Sequence, residues 1–82
     1  MTGKHYNWHK AWRREPSGHL LHDSGLRVLV KPGDGYTDLQ AAPDTLEAWQ
    51  AFEAARGVPL HDMLARLKRL IKEAQQWHNQ NP

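Results

Sequence analysis

The chain has 82 residues, with 11 Lys and Arg against nine Asp and Glu, a net charge of +2 and no cysteine. That length implies one domain with a thin core, and the missing cysteines exclude disulfide staples, thiolate metal sites and a Cys nucleophile. No apolar run approaches the ~20 residues of a membrane span, and the first residues lack the apolar stretch of a secretory leader, so the expected compartment is the cytoplasm.

The charges are unevenly placed. Residues 1–31 carry six Lys and Arg against Glu15 and Asp23, residues 32–57 carry five Asp and Glu against Arg56, and residues 58–82 carry four Lys and Arg against Asp62 and Glu73. Segments of opposite sign neutralise one another when they pack together, which is favoured here over a single basic face. Mean hydropathy is low at −0.82. Four tryptophans then suggest a small core built from large side chains.

Residues 1–4 are expected to fray. From His5 to Arg13 the pattern is ambiguous. Tyr6, Trp8, Lys10 and Trp12 alternate as one strand face, while Trp8 and Trp12 alone also fit a helix. Aromatic enrichment and the following Glu15-Pro16-Ser17-Gly18 turn favour a strand. Leu20 to Val30 is the clearest β signal. Asp23-Ser24-Gly25 suits a three-residue hairpin loop, with Gly25 at the position needing positive φ. Leu26, Val28 and Val30 share one face. Pro32, Gly33, Asp34 and Gly35 end that strand. Tyr36 to Ala42 is a connector whose structure the pattern leaves open.

Asp44 is the expected N-cap of a first helix, with Glu47 three residues later in capping-box position. Leu46, Trp49, Phe52 and Ala55 fall at helical steps, and Gly57 suits the C′ residue. The spacing of Leu60, Met63, Leu64, Leu67, Leu70, Ile71, Ala74 and Trp77 predicts a long amphipathic helix over Pro59–His78. Pro59 fits its first position, and Asn79 and Asn81 are its candidate stops, with residues 79–82 frayed. The order is β-β-β-α-α. This predicts an α+β domain over 1–82, a small antiparallel three-stranded sheet followed by a two-helix hairpin packed on one face. The expected core draws on Trp8 or Trp12, Leu20, Val28, Val30, Leu46, Trp49, Phe52, Leu64, Leu67 and Ile71.

No motif fixes a reaction. His5 with His9, and His19 with His22, have zinc-like spacings. Strand residues four apart lie ~13 Å from each other, too far to share one ion, so neither a metal nor another cofactor is expected. Ser17 and Ser24 sit in turns, outside any nucleophile motif. A metal-free ribonuclease would draw on His9, His22 and Arg27, but their spacing does not demand it, and a non-enzymatic role is expected. Gly33-Asp34-Gly35 lacks the glycine and lysine of a phosphate loop.

Two binding functions remain. The leading expectation is a protein-binding domain, as an inhibitor, adaptor or regulatory subunit, monomeric or homodimeric. Tyr6, Trp8, Lys10, Trp12, Arg13 and Arg14 are its candidate contact residues, because Trp, Tyr and Arg dominate binding hot spots. The alternative is nucleic-acid binding, through those N-terminal residues or through Arg66, Lys68, Arg69 and Lys72 of the last helix. The two helices around Gly57 also invite comparison with a helix-turn-helix. Phe52, Gly57, Val58 and Met63 suit that pattern, whereas Glu53, Arg56 and Arg66 depart from it.

Overall fold

A computed structural model describes residues 8–33 and 36–81. It is an α+β fold with a four-stranded antiparallel sheet in the order β1-β2-β3-β4. The elements are a short helical turn α1 (Trp8–Ala11), β1 (Trp12–Arg14), β2 (Leu20–His22), β3 (Arg27–Gly33), β4 (Tyr36–Ala41), α2 (Leu46–Ala55) and α3 (Met63–Gln80). The fold class is as the sequence implies. The strand and helix numbers differ from the expected three and two.

Two stretches account for the difference. Tyr36 to Ala41, left open by its pattern, pairs along its whole length with β3, from Gly33↔Tyr36 to Val28↔Ala41. Leu39 and Ala41 face inward and Asp38 and Gln40 outward, a regular alternation but a short one, since Thr37 takes the next inward position. The second stretch is the expected first strand. It is helical over Trp8–Ala11 and extended only from Trp12, so Trp8 and Trp12 do not share a strand face. Tyr6 lies outside the described residues.

The β2–β3 hairpin forms as expected. The Leu26 carbonyl accepts from the His22 amide at 2.8 Å, and the His22 carbonyl accepts from Gly25 at 2.9 Å. Gly25 has φ +92°, which a Cβ would disfavour. Pairing of Trp12 with His22 and of Leu20 with Val28 puts Trp12, Leu20, His22, Val28, Val30 and Leu39 on one face. The other face carries Arg13, Leu21, Leu29, Lys31, Asp38 and Gln40.

Both long helices pack over the first face. Their buried residues Trp49, Met63, Leu70 and Ala74 join Ala11, Trp12, Leu20, Leu26, Val28 and Leu39 in one core cluster. Helix α3 approaches β4 most closely. Its far half reaches β1 and α1. The Trp12 indole donates to Glu73 at 2.9 Å, Arg14 bonds His78 at 2.9 Å, and the Trp77 indole donates to the His9 carbonyl at 3.1 Å.

The helix starts differ from expectation. Asp44 is not an N-cap. A 3-10 turn spans Pro43–Thr45, and Asp44 lies inside it, 3.9 Å from Arg27. Thr45 does the joining instead, donating to the Ala42 carbonyl at 2.8 Å and accepting the Arg27 amide at 3.2 Å. A second 3-10 turn, Leu60–Asp62, precedes α3, and Pro59 stands just before it. Helix α3 continues through Asn79 and Gln80, past the predicted fray, and Asn81 closes it with its amide on the Trp77 carbonyl. Two expected core residues are exposed, Phe52 at 38% and Leu64 at 62%. Phe52 falls on the edge of α2 because Trp49 and Glu53 take its inward face.

Gly57 closes α2 at φ +87°, and a Cβ at this position would meet nothing within 4 Å. The cost of a side chain there is therefore backbone strain alone. Gly57→Ala should lower stability by about 1–2 kcal/mol in urea unfolding, and Gly57→Asn by less, since Asn tolerates this region. Equal midpoints for all three proteins would contradict this.

Candidate functional site

The most unusual residue in the interior is Glu53. It lies on the inward face of α2, where the helical stripe would otherwise place an apolar side chain, and is 1% exposed. A buried carboxylate is tolerated only when paired and hydrogen-bonded. Arg66 of α3 donates its Nε to Glu53 Oε2, and the Arg56 guanidinium is 3.9 Å from Oε1. Arg56 is set by a second contact, its guanidinium lying over the Phe52 ring at 5.6 Å. The Val58 amide also reaches back to the Glu53 carbonyl at 3.1 Å, tightening the turn between the helices.

Above this pair opens a cleft of about 270 Å³ lined by His22, Arg56, Arg66, Arg69, Leu70 and Glu73. A second hollow of about 390 Å³ continues it over the Arg56–Pro59 turn and shares the same three arginines. Arg69 makes no ion pair among the described residues. Three arginines line the opening, two of them already engaged by Glu53, and guanidinium groups suit the bidentate recognition of a phosphate or carboxylate.

His22 forms the far wall. It is buried, its ring is 4.7 Å from that of Trp12, and its Nδ1 is 2.9 Å from Ser24 Oγ. Burial pushes its pKa below the ordinary 6.5; Glu73, Asp23 and Glu53 pull the other way, and Arg56 adds to the lowering. The imidazole is thus a neutral, structural partner of the hairpin turn. No three of His, Asp and Glu gather as a metal site among the described residues.

No family model, curated protein or solved structure matches the chain.

The residues singled out from sequence are scattered. Trp12 is 3% exposed and belongs to the core, which removes it from any contact surface. Its ring is buried because α1 ends at Ala11 and turns the next residue inward. Trp8 is half-buried against the core, and Lys10 is exposed. Arg13 pairs with Asp23 at 3.2 Å, and Arg14 lies 5.4 Å over the Trp77 ring. The five of those six positions that are described therefore do not form one aromatic patch. Of the last-helix set, Arg66 is inside the Glu53 pair while Lys68, Arg69 and Lys72 are exposed. His9, His22 and Arg27 are not assembled as a reaction centre, since Arg27 bonds Glu15 at 2.8 Å on the opposite sheet face. Sequence reasoning misses Glu53 and Arg56 as site residues. The available signal is their departure from the helix-turn-helix pattern.

Two outcomes test this site. Glu53→Gln keeps the shape but removes the charge, and should cost about 1–3 kcal/mol in urea unfolding. That is below the ~3–5 of a sealed pair, because the Arg66 side chain is 33% exposed and can still reach water. An unchanged midpoint would show that the pair is not structural. His22 gives a pH dependence. With its folded pKa lowered, the unfolded chain binds more protons below 6.5, so stability falls on acidification. Between about pH 7 and pH 5 the melting temperature should drop more steeply for the wild type than for His22→Gln. Identical slopes would refute it.

Proposed function

We propose that the protein binds nucleic acid through α3. The supporting observation is the outward face of that helix. Lys68, Arg69 and Lys72 are exposed there beside Gln76 and Asn79, and no acidic residue shares the face. The one carboxylate within α3, Glu73, is turned inward and bonded to the Trp12 indole. An eighteen-residue helix with one basic face is suited to following a phosphate backbone. The acidic segment before it is less of an obstacle than its composition implies, because Glu53 is neutralised by Arg66 and Asp44 lies near Arg27.

A second reading, a protein-binding domain, is favoured by a different observation. Leu60 is 80% exposed and Leu64 62% exposed, one helical turn apart. Leu60 lies in the 3-10 turn before α3 and Leu64 in the first turn of α3. Such a pair is suited to an apolar anchor for a protein partner or a second copy. No helix among the described residues is long and apolar enough to cross a membrane. Either reading fits a cytoplasmic protein.

Fluorescence anisotropy with labelled mixed-sequence oligonucleotides across a salt series tests the first reading. Affinity should fall steeply with salt. Replacing Lys68, Arg69 and Lys72 together by Gln should weaken binding at low salt and flatten the log–log salt slope by about 2–3. No binding at low salt would remove this reading and leave the second.

A further inference from the structure

We infer that the open edge of β4 pairs antiparallel with the same strand of a second copy, in a register centred on Leu39. This stands apart from the nucleic-acid reading, and it names a second copy as the partner that the second reading leaves open. Three observations support it.

The first is the contrast between the two edges of the sheet. At one edge, β1 has three residues, two of them arginines. Short strands and charged side chains are the ordinary means of keeping an edge from pairing. At the other edge, β4 has six residues and matches β3 without a break from Gly33↔Tyr36 to Val28↔Ala41. It holds no proline, lysine or bulge, and its one charged residue, Asp38, already accepts from Gln40 at 2.9 Å.

The second is the direction of its backbone groups. The Ala42 amide donates to the Arg27 carbonyl at 2.8 Å. Antiparallel bonding alternates, so this register turns the amides and carbonyls of Asp38 and Gln40 toward β3, and those of Thr37, Leu39 and Ala41 toward the open edge. Among the described residues no strand lies beyond β4 to take them. Three outward residues spaced evenly about Leu39 make the strand its own complement. With Leu39 opposite Leu39 of the copy, Thr37 falls opposite Ala41, and each of these donors meets an acceptor. Asp38 then stands opposite Gln40 of the copy. Centring on Asp38 would set two aspartates against each other, which is destabilising. Centring on Gln40 would set Thr37 opposite Pro43, which has no amide to give.

The third is the place of the exposed leucines. The later turns of α3 bond β1 and α1 through Glu73, Trp77 and His78, while α3 also approaches β4 at the opposite edge. The helix thus crosses the sheet and begins on the β4 side. Leu64 in its first turn and Leu60 just before it are 62% and 80% exposed. A two-fold axis perpendicular to the sheet keeps both helix layers on one face and brings these two ends toward each other. A six-residue seam is smaller than the ~20–30 residues a side of a standard interface, so the association is concentration-dependent.

The test is sedimentation equilibrium of the full chain from about 10 µM to about 1 mM, with amide hydrogen exchange at both ends of that range. Mass should rise toward twice that of the chain. The Thr37, Leu39 and Ala41 amides should slow by about tenfold on concentration, while those of Asp38 and Gln40 are protected throughout. Gln40→Glu faces Asp38 of the copy and should weaken association by about fivefold, and Gln40→Lys should strengthen it. Thr37→Pro removes an outward donor without touching a bond to β3, and should abolish association with native circular dichroism retained. Constant monomer mass over the whole range would overturn the proposal. So would a dimer whose Thr37, Leu39 and Ala41 amides exchange as they do in the monomer. A dimer abolished by Leu64→Gln but indifferent to both Gln40 variants would overturn the β4 seam and keep the second reading.

Discussion

The buried carboxylate of Glu53 sets the arrangement of the helices. A charge in that position needs partners, and the chain supplies one from the end of its own helix and one from the next. To bring Arg66 to Glu53, α3 must turn one particular side toward α2. That rotation places Met63, Leu70 and Ala74 on the sheet, Glu73 against Trp12, and Lys68, Arg69 and Lys72 toward solvent. Ion pairs of this kind contribute little net stability against an apolar alternative. Their effect here is on orientation, since a stripe of leucines alone would tolerate several rotations of α3.

The same logic distributes the rest of the charge. Two ion pairs join segments of opposite sign, Arg27 with Asp44 and Arg66 with Glu53, while Arg13 with Asp23, Arg27 with Glu15 and Arg56 with Glu53 pair within a segment. Most of these acidic side chains are absorbed close to the chain junctions. Among the described residues Lys68, Arg69 and Lys72 of α3 make no ion pair, so a small net charge becomes a local one.

The hairpin, both long helices and the sharp turn at Gly57 are legible in the sequence, because each is written in local terms. Gly25 and Gly57 need positive φ, and the α3 stripe repeats over four turns. β4 is not legible, because its alternation is short, with Leu39 and Ala41 as its two apolar inward residues, and its identity depends on β3 lying beside it. The aromatic N-terminal stretch misleads for a related reason. A helical turn over Trp8–Ala11 breaks the alternation, and its stability comes from Trp77 and Glu73, residues that no local window contains. The candidate site is partly visible. Arg66 and Arg69 stand out as cations, while Glu53 and Arg56 register only as misfits to a helix-turn-helix. Glu53 and Arg66, two of those misfits, prove to be bonded to each other. A polar residue on an apolar stripe is ambiguous until its partner is known.

The stitching of α1 and β1 to the far half of α3 has a bearing on synthesis. Trp12 and His9 find their partners 61 and 68 positions later in the chain. The β2–β3–β4 meander can close as it emerges, whereas the Trp12 indole meets Glu73 only when the far turns of α3 leave the ribosome. A segment made early is thus completed late. Until then the nascent chain presents a tryptophan without that partner, a window for chaperones or for association with neighbouring chains.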